Sequence, residues 1–335
     1  MSDIIIIGAG AVGCLTALEL RRRGADITLI DRGTLGAEAS WAGGGILFPL
    51  LPWRYREEVN RLALAGARMY ADITSTLHQS TGIDPEYRVS GMRIMPDYGG
   101  ETARDWCEAH GVKAERDGDA LWLPEIAQIR NPRLLQALRC QLKIDGIRLR
   151  EQLEISSFKT GRSQVAGLKT AQGEILHADH YIVTAGAWSQ TILGEHAANL
   201  AINPVRGQML LYKMPPGLLE QILYREDFYL IPRSDGHILA GSTVEDVGFD
   251  KSTTQPVAHK LHQKAVSLLP ALHSQAPLLH WAGLRPGSPD NIPTIGRHPS
   301  LKNLWLNTGH FRYGITMAPA SAENLADLMT GLHKH

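Results

Sequence analysis

The chain reads as an α/β protein, a parallel sheet covered by helices and interrupted by a second, mostly antiparallel α+β lobe. Three observations predict this. An apolar strand, a glycine turn, a helix and a second strand ending in an acid follow one another within the first 31 residues. From about Tyr87 the texture changes to short strands punctuated by Gly and Pro, with several tryptophans. A buried strand ending in a glycine turn returns at Tyr181-Ile182-Val183-Thr184-Ala185-Gly186-Ala187-Trp188, and glycine turns with a last helix close the chain. Strand–helix alternation predicts a parallel sheet, and clustered short strands predict an antiparallel one.

The N-terminal unit is the most specific. Ile4 to Ile7 form the strand, and Gly8-Ala9-Gly10-Ala11-Val12-Gly13 the turn. Ile27-Thr28-Leu29-Ile30-Asp31 is the second strand with its acid. A lone GxGxxG is weak evidence; here every neighbour is in register. Gly8 permits a tight turn, Gly10 lets backbone approach a pyrophosphate, and Gly13 lets the helix pack closely on the sheet. The helix N-terminus offers N–H groups to the phosphates, and Asp31 can accept from a ribose. This is an adenine-dinucleotide fingerprint, and it predicts a Rossmann-like domain.

The remaining elements follow in order. Arg21-Arg22-Arg23-Gly24 closes the first helix, cations suiting its negative end and Gly the left-handed residue after it. Gly33 to Pro49, rich in Gly, Ala and Ser, suits backbone lying against a ligand. Arg54 to Gln79 predicts a long amphipathic helix, with Val59, Leu62, Ala63, Ala67, Tyr70 and Ile73 near one face. Asn131 to Ile144 predicts another, with Leu134, Leu135, Leu138 and Leu142 together. Val205 to Tyr212 and Phe228 to Ser242 read as sheet, and Val257 to Leu269 as helix. The last third reads as glycine turns, one strand at Leu304 to Leu306, and a helix from about Ala318 with Pro319 in its first turn. The expected division is a discontinuous dinucleotide domain over 1–80, 145–200 and 281–335. Residues 81–144 and 201–280 make the substrate lobe.

Composition narrows the function. The 335 residues carry 34 Lys+Arg and 34 Asp+Glu. That zero balance argues against a nucleic-acid binder. The apolar stretch Ile4 to Leu18 lacks a leading Lys or Arg, is interrupted by glycines and is shorter than a membrane span, so neither a signal peptide nor a membrane segment is expected. Cys14, Cys107 and Cys140 are far apart and predict neither a metal site nor disulfides, which suits the cytoplasm. The 14 histidines show no ligand spacing.

Three later segments join the fingerprint. They are Tyr181 to Ser189, then Trp281-Ala282-Gly283-Leu284-Arg285-Pro286-Gly287 with Pro293-Thr294-Ile295-Gly296, and Asn307-Thr308-Gly309-His310-Phe311-Arg312-Tyr313-Gly314-Ile315-Thr316. Together they resemble the D-amino acid oxidase superfamily of FAD-dependent oxidoreductases, nearly end to end, and within it the bacterial glycine oxidases of thiamine biosynthesis. The resemblance implies non-covalent FAD, a small amine or amino acid substrate, molecular oxygen as acceptor and a homo-oligomer, in that family a homotetramer. It places Ala11 and Val12 at the diphosphate and Asp31 with Arg32 at the ribose. Ala39, Ser40, Gly44, Gly45 and Ile46 lie along the flavin, Ile155 at the adenine, and Gly186 in the second glycine turn. His310, Phe311, Arg312, Tyr313, Gly314, Ile315 and Thr316 border the isoalloxazine ring. Arg285 and Tyr229 hold the substrate carboxylate, with Arg312 beside substrate and flavin. The family usually has Asn where this chain has Tyr313, which bears on pocket size.

The chemistry is consistent with this. Amine oxidation by a flavin asks the protein mainly for placement, and a guanidinium is the natural clamp for a carboxylate. No side chain is singled out as a catalytic acid or base. Three neighbouring readings are a dehydrogenase passing electrons to quinone, a sarcosine-oxidase-like enzyme with covalent flavin, and the oxidase half of a tRNA wobble-uridine modification enzyme. No cysteine follows Cys140 to carry a covalent link, and the neutral charge disfavours the tRNA reading. A flavin-binding sensor without turnover is the non-enzymatic alternative.

Overall fold

The computed structural model describes residues 2–96, 98–197 and 200–331. Its first sheet has six strands in the order Thr294–Arg297, Leu304–Thr308, His180–Val183, Asp3–Ile7, Asp26–Ile30 and Arg148–Arg150. Neighbours are parallel except Thr294–Arg297, which runs against Leu304–Thr308. The fingerprint strand is therefore central, and four consecutive isoleucines suit it because both faces are covered. Ile4 and Ile6 enter the core under the helices, while Ile5 and Ile7 face the opposite core.

Helices Ala11–Arg22, Glu57–Thr81, Asn131–Ile144 and Gly314–Thr330 supply the first of these cores. The leucines of Asn131–Ile144 that the 3.6-residue period placed on one face are all in it. A three-stranded antiparallel sheet, Ile155–Gly161, Gln164–Thr170 and Ile175–Leu176, covers the other face.

The second large sheet has eight strands. Its order is Leu279–Gly287, Asn203–Lys213, His237–Gly241, Phe228–Pro232, Ile222–Arg225, Met92–Ile94, Ala120–Leu123 and Glu115–Asp117. All neighbours are antiparallel except Ile222–Arg225 with Met92–Ile94. Helix Gln255–Leu268 packs on one side of it. The mixed α/β class and its mostly antiparallel second lobe are as expected.

Two local expectations need correction. The last third holds three strands rather than one, because Leu279–Gly287 and Thr294–Arg297 also pair. Their glycines and prolines masked the strand pattern. The last helix starts at Gly314, not near Ala318, which places Pro319 inside it. Proline cannot donate to the carbonyl four residues back. That carbonyl, Ile315 O, instead accepts from the hydroxyl of fully buried Tyr70 at 2.6 Å. A side chain from another helix thus replaces the missing bond, and the helix runs through.

Candidate active site

The two sheets face each other across a cavity of about 400 Å³. Its wall includes the glycine turn, the 38–50 segment, the start of the three-stranded sheet, the second glycine turn and the 307–316 loop. Of the residues singled out from sequence, all but Ala11 and Gly13 line it. The Ala11 N–H donates to Ser40 Oγ at 2.9 Å. A Cβ on Gly13 would collide with the Gly8 carbonyl oxygen, so its glycine serves close helix packing. Gly8 has φ +110°, and a Cβ there would stand 2.6 Å from Thr184 O. Only glycine makes this turn.

Asp31 is held as a tuned acceptor. Its Oδ2 accepts from Ala9 N at 2.8 Å and its Oδ1 from Gly33 N at 2.8 Å. Burial pushes its carboxyl above the usual range even against these donors. Each oxygen keeps a further lone pair for a ligand hydroxyl. Arg32 lies over the Trp188 ring, 3.9 Å from its centroid, and meets Glu38 at 3.4 Å. That flat platform, with Ile155, walls one end of the cavity. Neither Trp188 nor Glu38 is assigned a role from the sequence.

The 40–46 segment is clamped by residues that sequence reasoning did not select. Asn131 Nδ2 donates to Ser40 O at 2.8 Å and Gly43 O at 3.0 Å. Buried Arg233 donates to Gly44 O at 2.8 Å, Ile129 O at 2.9 Å and Gln128 Oε1 at 2.6 Å. Desolvation lowers its pKa to about 10, and the nearby Arg130 adds to the effect. Thr316 Oγ1 donates to Ile46 O at 3.0 Å. The loop is thereby fixed from both sheets.

Arg285, Tyr229 and Ser242 also line the cavity. Arg285 is on strand Leu279–Gly287, opposite Val205 in register. Its Nη1 donates to Thr243 O at 3.1 Å and its Nη2 to Ser242 Oγ at 2.7 Å. No carboxylate pairs with it among the described residues. Desolvation by the surrounding protein lowers its pKa, and Arg312 adds to the effect. The guanidinium lies over Gly207, where a Cβ would come within 2.5 Å of Arg285 Cζ. Gly207 thus leaves room for the guanidinium, a role only the fold makes visible. Arg312 itself meets Asp227 at 3.4 Å.

Tyr313 is buried, and its hydroxyl sits on Leu50, 3.2 Å from N and 3.3 Å from O. Its ring is edge-on to Tyr55 at 5.4 Å. Tyr313 thereby braces the cavity wall at Leu50. His310 is buried, and desolvation lowers its pKa to about 3, so the ring is neutral.

These residues fit an adenine dinucleotide. Two helices, Ala11–Arg22 and Gly314–Thr330, begin on the cavity wall without a side-chain cap or an acid in their first turn. Their N-termini suit negative charge. His310 Nε2 and Asn307 Oδ1, on cavity-lining residues, are buried without a protein partner.

The family model of DAO, FAD dependent oxidoreductase, matches residues 3–328. The chain is 41% identical to a glycine oxidase of Pseudomonas aeruginosa, covering 98% of this chain and 94% of that one. It is 31% identical to a bifunctional protein ThiO/ThiG of Nostoc, covering 98% of this chain and 52% of that one. A crystal structure of glycine oxidase from Bacillus cereus superposes with TM-score 0.90 at 26% identity, covering 100% of this chain and 96% of that one. The chain belongs to the DAO family of FAD-dependent oxidoreductases, and its fold is of the D-amino acid oxidase type.

Proposed function

We propose that the chain oxidises glycine, sarcosine and small D-amino acids. Water and molecular oxygen are consumed, and the products are the oxo acid, formed through an imine, hydrogen peroxide, and ammonia from the primary amines or methylamine from sarcosine. The one observation that carries this reading is Arg285, a desolvated guanidinium on the cavity wall with no carboxylate paired to it among the described residues. A partly desolvated cation without a counter-charge is costly, and a substrate carboxylate satisfies it with two parallel charge-assisted bonds. The relatives named glycine oxidase support glycine as substrate, and the ThiO/ThiG relative supports a place in thiazole formation for thiamine. A cytoplasmic homo-oligomer, a tetramer as the resemblance implies, belongs to the same proposal.

FAD, bound non-covalently, supplies the hydride acceptor. Asp31, the glycine turn and the Arg32–Trp188 platform would hold its adenosine end. The clamped 40–46 loop and the 310–316 loop would hold its flavin end. Arg285 orients the substrate by its carboxylate, and Thr243 O holds the guanidinium in place. His310 is neutral by burial, and the amine is taken to bind with its nitrogen neutral, since no side chain is assigned to remove its proton. Rigid placement of both partners is where most of the rate originates.

The test is peroxide release over a panel of glycine, sarcosine, D-alanine, L-alanine and carboxylate-free amines. Peroxide from the first three alone supports the reading. Substrate consumption without peroxide points to another acceptor, such as a quinone. Reaction with L-alanine or with carboxylate-free amines contradicts it.

A further inference from the structure

Ser242 follows strand His237–Gly241 at the cavity, and no motif in the sequence marks it. Its place is fixed on both sides. Gly241 is in register with Met209 and Tyr229. Thr243 Oγ1 accepts from Gln208 N at 2.8 Å and bonds to Glu245, while Thr243 O accepts from Arg285.

The Ser242 hydroxyl accepts twice. Arg285 Nη2 donates to it at 2.7 Å and Tyr229 Oη at 3.2 Å. A serine hydroxyl has two acceptor sites and one proton. With both acceptor sites engaged, the proton remains, and no acceptor among the described residues takes it. Ser242 lines the same cavity as Arg285, and that cavity offers the proton a ligand. Tyr229 Oη donates to Ser242 Oγ as its nearer acceptor, with Met209 Sδ at 3.9 Å as the other.

We propose that Ser242 is a substrate-binding residue whose hydroxyl donates to the carboxylate clamped by Arg285, and that Tyr229 acts through Ser242 rather than on the carboxylate itself. This rests on the carboxylate reading of Arg285 given above. The arrangement forms a row in which Tyr229 donates to Ser242 and Ser242 donates to the carboxylate oxygen. Arg285 meets both Ser242 and the carboxylate. It selects an acid over the corresponding amide, because an amide nitrogen would present hydrogens to Ser242 and Arg285, which are donors themselves.

The test is calorimetric titration of glycolate, a carboxylate without an amine, into the FAD-loaded protein. Glycolamide is the neutral control. Ser242→Ala should weaken glycolate binding about tenfold, the loss of one hydrogen bond to a charged group. It should leave glycolamide unchanged, and Ser242→Thr should restore binding. Tyr229→Phe should weaken glycolate alone but add nothing in the Ser242→Ala background. Wild-type glycolate affinity in Ser242→Ala, with binding lost in Arg285→Ala, overturns the role of Ser242 and leaves the Arg285 reading standing. Wild-type affinity in Arg285→Ala overturns both. A Ser242→Thr variant with intact FAD content that does not recover also overturns the proposal. A full additional loss from Tyr229→Phe in the Ser242→Ala background overturns the relay through Ser242.

Discussion

Gly207→Ala tests whether backbone room under Arg285 makes the site. A Cβ at this position would stand 2.5 Å from Arg285 Cζ, where ordinary contact begins at 3.4 Å. The guanidinium must therefore retreat by roughly 1 Å. Strand Asn203–Lys213 is the stiffer partner, because Gly207 pairs with Gly283 on one side and its neighbours Arg206 and Gln208 bond to the backbone of Glu245 and Thr243 on the other. A 1 Å misplacement of a positioning group costs up to ~100-fold in rate. The charge-assisted bonds it weakens are worth about 1.5–3 kcal/mol each. We expect kcat/KM for glycine to fall about 10- to 100-fold, with FAD content unchanged. Steady-state kinetics on FAD-loaded protein measures this. In an Arg285→Ala background the same substitution should cost nothing further, because the group it displaces is gone. Wild-type kcat/KM in Gly207→Ala, or an equal loss in both backgrounds, refutes the reasoning.

Three further outcomes are expected. Arg285→Ala should lower apparent glycine affinity at least about tenfold and lower kcat with it, while Arg285→Lys recovers only part, because a point charge cannot form the two-bond clamp; kinetics with glycine checks both. Asp31→Ala should weaken FAD binding, read by fluorescence titration, more than it changes kcat at saturating FAD, since contacts far from the reacting atoms bind ground and transition state alike. Burial raises the Glu245 pKa, but hydrogen bonds from Thr243, Arg206 and Gln208 outweigh it and hold the carboxyl below its usual value of 4.5. A depressed folded pKa gives stability that is present above the unfolded value and lost as pH falls through the folded one. Thermal midpoints measured downward from pH 6 should therefore fall below about pH 4.5, and less steeply in Glu245→Gln.

How much was legible in the sequence depends on how local the physics is. The fingerprint could be read because its glycines, helix and acid interact within one βαβ unit. Helix Asn131–Ile144 was legible from period alone. Pro319 was misjudged because the partner that makes it tolerable, Tyr70, lies 245 residues before the carbonyl it serves. Strand Leu279–Gly287 was obscured by its own glycines, which the fold uses for close approach to Ala42 and Val205. Gly207, Arg233 and Ser242 carry no local signature. Their roles come from register in the eight-stranded sheet and from loops that reach it from the first half of the chain.

The central claim is that a carboxylate-bearing amine binds at Arg285 and is oxidised there. The most direct measurement mixes glycine with FAD-loaded protein without oxygen and follows the visible flavin absorbance. The account predicts rapid bleaching by glycine and slow or absent bleaching in Arg285→Ala at the same concentration. No bleaching by glycine, sarcosine or D-alanine, or equal bleaching in wild type and Arg285→Ala, would contradict it.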